Sequence, residues 1–222
     1  MPPSRKTTVL ISGANSGIEL AVATQLAKDH GYHVLDITSD EFAAAIQTIS
    51  VEFGVLDVLV NNAGVLLDPV PGLAEENKDL TTRQLFNRTY DTNVTGAAVL
   101  TGACVPLLRK AGNPRVVFVS SLMGSVSETT NKSTLYYNTD YKSYDCSKAA
   151  MNMLALNYAR ILEPTGALVN VACPGLVQTR LVGMHPYGCS TELGAKRIVD
   201  LATLEKGGPT ATFSDRDGSV PR

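Results

Sequence analysis

A tyrosine and a lysine one helical turn apart are the clearest chemical feature of the sequence. Tyr144 and Lys148 stand four residues apart in the run Tyr-Asp-Cys-Ser-Lys, and residues at this spacing share one face of a helix. A phenol titrates near ~10 by itself, and a neighbouring ammonium favours the phenolate. The pair can therefore act as a general acid and base. The same spacing also occurs in solvated surface pairs, so the two residues alone do not decide the matter.

A glycine-rich turn offers a second kind of chemistry. Residues 12–18 read Ser-Gly-Ala-Asn-Ser-Gly-Ile and follow an apolar run. Gly13 can adopt backbone angles that other residues avoid, and Gly17 lets the main chain approach a ligand. The start of the next helix then presents N–H groups and a positive dipole end to a pyrophosphate. Many such turns need glycine for steric reasons alone, so both interpretations stay open.

The elements that would position these groups alternate along the chain. Short apolar runs are separated by longer helical patterns, which is typical of a parallel sheet covered by helices on both faces. The sequence predicts helices over residues 18–28, 39–53 (with Ser39 as a cap), 80–108, 143–162 and 192–204. It predicts strands over residues 8–11, 32–35, 57–60, 115–120, 167–172 and 210–213.

One crossover is too short for a full doubly wound sheet. A crossover between parallel strands takes a dozen residues or more, and the segment from Leu35 to Asp57 has room for one helix only. We therefore predict an α/β doubly wound parallel sheet that lacks one edge strand and its helix between residues 35 and 57. The whole chain, residues 1–222, is expected to form a single domain.

Composition excludes several classes of function. Hydrophobic residues make up 44% of the 222 residues and the net charge is −2, so neither nucleic acid nor a membrane is expected as partner. The four cysteines form no Cys-x-x-Cys pair and only three histidines are present, which argues against a metal site. The N-terminal apolar stretch is too short for a signal peptide. We expect a soluble, cytoplasmic protein.

Four motifs in order resemble those of the short-chain dehydrogenase/reductase family, over nearly the whole chain. They are the glycine turn, Asn-Asn-Ala-Gly at residues 61–64, the Tyr144–Lys148 pair, and Pro-Gly-Leu-Val-Gln-Thr at residues 174–179. The resemblance implies a Rossmann-type fold with a nicotinamide cofactor across the strand ends. The cofactor-binding residues it implies are Gly13, Asn15, Ser16, Gly17, Ile18, Asp36, Asn62, Ala63, Gly64, Tyr144, Lys148, Pro174, Gly175, Val177 and Thr179.

The resemblance also implies a catalytic set of Ser121, Tyr144, Lys148 and Asn93. Ser121 would polarise a substrate carbonyl, and its neighbour Ser120 would be structural. Tyr144 would transfer the proton, and Lys148 would lower the pKa of Tyr144 and hold the cofactor ribose. Asn93 would hold a water in the proton relay behind the lysine; alternatively, its side chain bonds its own helix.

Two positions depart from the family's pattern. The glycine turn of the family ends in a further glycine where this chain has Glu19. That carboxylate either lies near the cofactor phosphates, where like charges repel, or swings to solvent. Asp36 resembles the aspartate after the family's third strand, which meets the adenine. It can also be an acidic ribose contact at the end of the second strand. We favour the third-strand identity from the local sequence and leave the geometry open.

A long polar segment separates Ser121 from Tyr144. Residues 125–143 include three tyrosines, and we interpret them as a loop over the substrate mouth or as a surface excursion. Similar inserts occur in the carbonyl-reductase-like branch of the family, and the chain end resembles fungal members, which often act on natural-product ketones in secondary metabolism. His185 lies in a loop and Cys146 faces away from the pair; we expect neither to be catalytic.

The sequence thus predicts an NADP(H)-dependent oxidoreductase that reduces a small-molecule ketone or aldehyde. NAD(H) remains an alternative cofactor, and Glu19 with the missing segment leaves open that none binds. The alternatives are a non-redox isomerase, dehydratase or cyclase on the same fold, and a cofactor-deficient, non-enzymatic or truncated family member. The long helices around residues 80–108 and 144–162 would pair copies in a homodimer or homotetramer.

Overall fold

A computed structural model describes residues 5–13, 16–37, 42–70, 72–134 and 136–222. Within these residues the chain forms one parallel sheet of six strands in the order β2-β1-β3-β4-β5-β6. All six predicted strands are present, although the last begins three residues later than the predicted 210. The strands are β1 (Thr8–Ser12), β2 (His33–Ile37), β3 (Val58–Asn61), β4 (Arg115–Val119), β5 (Leu168–Ala172) and β6 (Phe213–Ser214).

The sheet ends at β2, as the short crossover predicts. Val9 of β1 pairs with Val34 of β2 on one side and with Val58 of β3 on the other. Across the described residues β2 has no second partner strand. The strand order therefore reverses between β1 and β3, and open α/β sheets bind ligands in the crevice at such a point.

Helices cover both faces of the sheet. The predicted helix over residues 80–108 is interrupted by a π-helical turn, Asp91–Gly96, in which Asn93 is buried. The predicted helix over 39–53 begins at Phe42 among the described residues, and Ser39 lies outside them. No described helix is long and apolar enough to cross a bilayer. The α-helices are α1 (Gly17–Asp29), α2 (Phe42–Thr48), α3 (Thr82–Tyr90), α4 (Ala97–Leu108), α5 (Lys142–Leu162) and α6 (Thr191–Ala202).

The strands are buried on both faces, which explains why they read as continuous apolar runs. Alternate residues of each strand enter two separate cores. Leu10, Leu59 and Phe118 pack with residues of α4 and α5. Val9 and Val60 pack on the opposite face with residues of α1 and α6. Burial on both sides fixes the register of the strand ends that carry the polar motifs.

Helix α5 lies directly against the turn that follows β4. A Cβ atom placed on Gly124 would come within 2.7 Å of the Lys148 backbone carbon. Real Cβ atoms do not approach that closely, so only glycine fits. The absence of a side chain at residue 124 therefore sets the distance between the end of β4 and the middle of α5.

The start of α5 is capped by a residue from a distant loop. One carboxylate oxygen of Asp68 accepts the Ser143 backbone N–H at 2.9 Å, and the other accepts the Tyr144 N–H at 3.1 Å and the Ser143 hydroxyl at 2.6 Å. Asp68 is only 4% exposed. A buried carboxylate on the first N–H groups of a helix satisfies them and favours the positive end of the dipole.

We expect Gly124→Ala to destabilise the protein and to displace Lys148. The added methyl group meets helix backbone, which cannot move without repacking, and overpacking of this kind costs about 1–3 kcal/mol. Thermal melting measures the loss. Gly112→Ala is the matched control, because nothing lies within 4 Å of a Cβ atom there. Equal melting temperatures of the two variants would contradict the tight contact.

We expect Asp68→Asn to lower the free energy of unfolding by about 1–3 kcal/mol, because an amide group would turn N–H groups toward the helix donors. Chemical denaturation measures this change. Asp140→Asn makes the same substitution at an exposed position two residues before α5. It should leave stability within about 0.5 kcal/mol of the parent protein. If Asp68 did not stabilise the start of α5, the two variants would have the same free energy of unfolding.

Candidate active site

Three of the four predicted catalytic side chains meet at the carboxyl end of β4. Ser121 begins the turn after the strand, and its hydroxyl accepts the Met123 N–H at 3.2 Å. The Ser121 side chain lies close enough to the Tyr144 phenol to act on its pKa, and both residues line one cavity. The ammonium of Lys148 lies 5.5 Å from the centre of the Tyr144 ring. Tyr144 is 7% exposed and Lys148 3% exposed, so the two are not a solvated surface pair.

The lysine is held by the strand end. Its Nζ donates to the Val119 carbonyl oxygen at 2.9 Å, and Ser120 donates to the Lys148 carbonyl at 3.3 Å. Ser120 thus has the structural part expected of it. Since the last carbonyl of β4 binds the ammonium, the position of the amine is fixed by the sheet rather than by solvent.

Burial shifts the pKa values of both groups. It lowers the pKa of Lys148 from 10.5 to about 8, because a charge is costly away from water. It raises the pKa of Tyr144 above the ordinary 10, while the nearby Ser121 side chain acts in the opposite direction. The expectation of a lowered phenol pKa does not hold for the protein alone. Tyr144 is held neutral, as a proton donor to a carbonyl oxygen must be.

Asn93 stabilises the loop after β3. Its amide nitrogen donates to the Val65 carbonyl and to Ser147 at 2.9 Å each, and its Oδ1 accepts the Val65 N–H at 2.8 Å. The Oδ1 of Asn93 and the Nζ of Lys148 both lie 3.4 Å from where a Cβ on Gly64 would be. Its side chain therefore bonds other elements, not its own helix. The relay water remains a prediction.

The predicted cofactor segments line one crevice at the ends of β1 and β3. The Ser12 hydroxyl accepts the backbone N–H groups of Asn62 and Ala63 at 3.1 Å each. Gly13 has a φ of +83°, and a Cβ atom added to it would touch Ala63 at 3.5 Å. The left-handed φ explains why this position is glycine.

The segment that follows β5 closes the same crevice. A Cβ on Gly17, whose φ is +59°, would lie 3.6 Å from the Thr179 methyl group. The glycine turn and the Pro-Gly-x-Val-x-Thr segment are therefore neighbours. Ile18 lines the adjoining cavity. So do the remaining predicted residues of that segment, which are Pro174, Gly175 and Val177.

Three further predicted cofactor residues have different outcomes. Ser16 precedes α1 in an extended conformation, with a φ of −160°. Asp36 lies on β2 and its backbone pairs with Ile11 of β1. That strand takes the place next to β1, so the backbone position is that of a second-strand residue, not of the third strand we favoured from the local sequence. Asn15 lies outside the described residues.

Glu19 does not swing to solvent. Its Oε2 accepts a hydrogen bond from the Asn62 side-chain amide at 3.1 Å. The same oxygen lies 3.3 Å from where a Cβ on Gly17 would be. The carboxylate therefore lies over the first turn of α1 and within the crevice, close to where the sequence predicts phosphates.

Ser121 and Tyr144 line a cavity of about 660 Å³. Tyr136 and Tyr141 of the long polar segment line it as well, so this segment borders the cavity. The opposite wall is apolar. His185 lies at the rim, where its Nδ1 accepts the Tyr187 N–H at 3.4 Å, and the exposed Cys146 is absent from the described lining.

Sequence reasoning missed Asp68 and the requirement for glycine at residue 124. Asp68 lies 75 residues before the N–H of Ser143 that it binds, so nothing local marks it as a cap. The only signal in the chain is a lone aspartate in an apolar stretch, Val-Leu-Leu-Asp-Pro-Val, shortly after Asn-Asn-Ala-Gly.

We expect Lys148 to make stability depend on pH. The unfolded lysine keeps a pKa near 10.5, and the folded one is near 8. Between these values the unfolded state binds more protons, so the free energy of unfolding rises with pH, by about 3 kcal/mol across the window. The measurement is chemical denaturation from pH 7 to 11 with Lys148→Met as reference. Parallel curves for the two proteins would contradict a buried, titrating lysine.

Comparison with known proteins agrees with this geometry. The family model for short chain dehydrogenases matches residues 31–186, which is more than half of the chain. A short-chain dehydrogenase/reductase of Phoma sp is 31% identical over 250 aligned positions, covering 91% of this chain and 87% of that protein. Because 250 positions exceed the 222 residues here, the relative has residues opposite gaps in this chain.

Two further proteins extend the comparison. A short-chain dehydrogenase of Penicillium roqueforti is 32% identical over 242 positions, covering 94% of this chain and 92% of the relative. The crystal structure of NADPH-bound carbonyl reductase from chicken fatty liver superposes with a TM-score of 0.76 at 22% identity, covering 97% of this chain and 98% of the other. The similarity in sequence, sheet and strand-end geometry places this chain in the short-chain dehydrogenase/reductase family.

Proposed function

We propose that this protein is an NADP(H)-dependent reductase of a ketone or aldehyde. The observation that carries the proposal is the placement of Ser121 and Tyr144 on one wall of a large cavity, with the Lys148 ammonium 5.5 Å from the centre of the Tyr144 ring. A neutral phenol, a hydroxyl and an ammonium at one point suit a carbonyl oxygen that must accept a proton. The membership in an oxidoreductase family supports the same reaction class.

The crevice fits a nicotinamide dinucleotide in most respects. It lies at the switch point of the sheet, it begins at the N-terminus of a helix, and Gly13 and Gly17 both have positive φ. Such a site presents N–H groups to a diphosphate. The bound cofactor would supply the hydride to the carbonyl carbon.

The chain's own residues would handle the oxygen. Ser121 would donate a hydrogen bond to the carbonyl oxygen and orient it, and Tyr144 would then transfer its proton to that oxygen. Lys148 uses one N–H on the Val119 carbonyl and retains two donors. Those would hold the cofactor ribose and favour the phenolate that Tyr144 becomes.

The cavity favours a bulky, uncharged carbonyl compound. Its walls include Leu66, Val70, Leu73 and Leu181, with phenols from Tyr136 and Tyr141. The described lining residues include no lysine or arginine and do include Asp215, so a carboxylate or phosphate on the substrate would find no cation there. Apolar walls with a few phenols suit a ring-containing ketone, such as a natural product of secondary metabolism.

Two observations favour different cofactors. NADP(H) is favoured by the bound cofactor of the structurally similar carbonyl reductase. NAD(H) is favoured by the place of Asp36 near the carboxyl end of β2, where an acidic residue meets the ribose hydroxyl in NAD-binding folds. Binding of both cofactors must therefore be measured.

A second candidate is a proton-transfer enzyme that needs no cofactor. It is favoured by one observation, the hydrogen bond from Asn62 to Glu19 inside the crevice. In that case Ser121, Tyr144 and Lys148 would catalyse an isomerisation, dehydration or cyclisation. Such turnover would proceed in the absence of NADPH.

We expect Tyr144→Phe to lower the rate of ketone reduction by at least about a hundredfold, because general acid catalysis of this kind contributes 10²–10⁴. Oxidation of NADPH is followed by absorbance over a panel of ring-containing ketones. Binding of NADPH, measured by calorimetry, should change little, since the rest of the crevice is intact.

The control is Tyr137→Phe, which removes a phenol that is 41% exposed and outside the described lining of the large cavity. It should retain the parent rate. Undiminished reduction by Tyr144→Phe would contradict the proposal. Cofactor-free turnover that Tyr144→Phe abolishes would instead establish the second candidate.

A further inference from the structure

We propose that Glu19 weakens the binding of dinucleotides to this chain by holding a carboxylate where the cofactor diphosphate must lie. The inference rests on the proposed function and goes beyond it, because it identifies the residue that sets cofactor affinity. The claim concerns charge as well as volume, and the two can be separated by experiment.

Glu19 lies in the first turn of α1. Ser16 precedes α1, so Gly17, Ile18 and Glu19 are the first three residues of the helix. Their N–H groups are among those that an α-helix leaves without intrahelical partners, and they form its anion-binding end. The Glu19 side chain folds back over this end, with Oε2 at 3.3 Å from a Cβ position on Gly17.

The contact with Asn62 holds the carboxylate across the crevice. Asn62 follows β3, whereas Glu19 belongs to the helix after β1, and their side chains meet at 3.1 Å. The hydrogen bond therefore joins the two strand ends between which ligands bind in open α/β sheets. A dinucleotide that enters must separate this pair or bind beside a negative charge.

The glycine turn and the first turn of α1 supply no cation of their own. Residues 12–19 contain no lysine or arginine, so within this segment the favourable field comes from the helix terminus. That terminus is equivalent to roughly half a positive charge, which a full carboxylate exceeds. A diphosphate brings further negative charge to the same place, and repulsion between partly buried like charges is weakly screened.

Two substitutions separate charge from volume. Glu19→Gln keeps the size of the side chain and an oxygen that can accept from Asn62, and it removes only the charge. Glu19→Gly removes both the charge and the side chain. Glu192→Gln is the control, because Glu192 is also a first-turn glutamate, on α6, and is exposed.

Isothermal calorimetry with NADPH and with NADH on the full chain tests the inference, and the shift in melting temperature on adding either cofactor gives a second readout. We expect Glu19→Gln to tighten binding about tenfold, which equals about 1.4 kcal/mol, and Glu19→Gly to tighten it at least as much. Glu192→Gln should match the parent protein.

The outcomes are distinguishable from a failure of the proposed function. Measurable binding with equal dissociation constants for all four proteins overturns the inference and leaves the reductase proposal intact. Tightening by Glu19→Gly alone overturns the role of charge. Absence of binding by every protein, Glu19→Gly included, overturns the inference together with the NADP(H)-dependent function.

Discussion

The site depends on a lysine ammonium that is buried against the last carbonyl of a strand. Lys148 is 3% exposed and bonds the Val119 oxygen at 2.9 Å. Burial lowers its pKa to about 8, so at neutral pH the fold carries a charge it would be more stable without. Active sites commonly retain such costs because the chemistry needs them. Everything else in the site is arranged around that amine.

Two distant contacts give the amine and the phenol their positions. Gly124 lets α5 approach the turn after β4, and Asp68 fixes the first turn of the helix at Tyr144. Ser121 lies in that same turn, so one helix and one strand end position all three groups. The crevice predicted to hold the cofactor is built separately, from the ends of β1 and β3. The predicted catalytic residues and the glycine turn therefore belong to different parts of the fold.

Sequence reasoning predicted what depends on local pattern. Each strand is a short apolar run, so the order of elements could be predicted from the pattern. The meeting of Ser121, Tyr144 and Lys148 was implied by the resemblance of the motifs to those of the family. The missing edge strand followed from the length of the chain between β2 and β3. The burial of Asp68 and the space at Gly124 could not be predicted, because each depends on a partner far away in sequence.

The direction of the Tyr144 pKa was wrong for a related reason. The prediction considered the effect of the Lys148 ammonium on the pKa of Tyr144. Desolvation of the phenol is the largest effect on that pKa, and it is a property of the packed fold. Asp36 shows the same limit: its local sequence resembles a third-strand segment, and only the pairing with Ile11 places it next to β1. Glu19 was correctly recognised as a departure, while its bond to Asn62 required coordinates.

Transfer of deuterium from NADPH that carries deuterium at both C4 positions to a bulky ketone tests the central claim most directly. The account predicts that the alcohol product carries a single deuterium on the former carbonyl carbon, as detected by mass spectrometry, and that its hydroxyl proton comes from the protein and solvent. Product that forms without label, or at the same rate when the cofactor is omitted, would contradict a reductase.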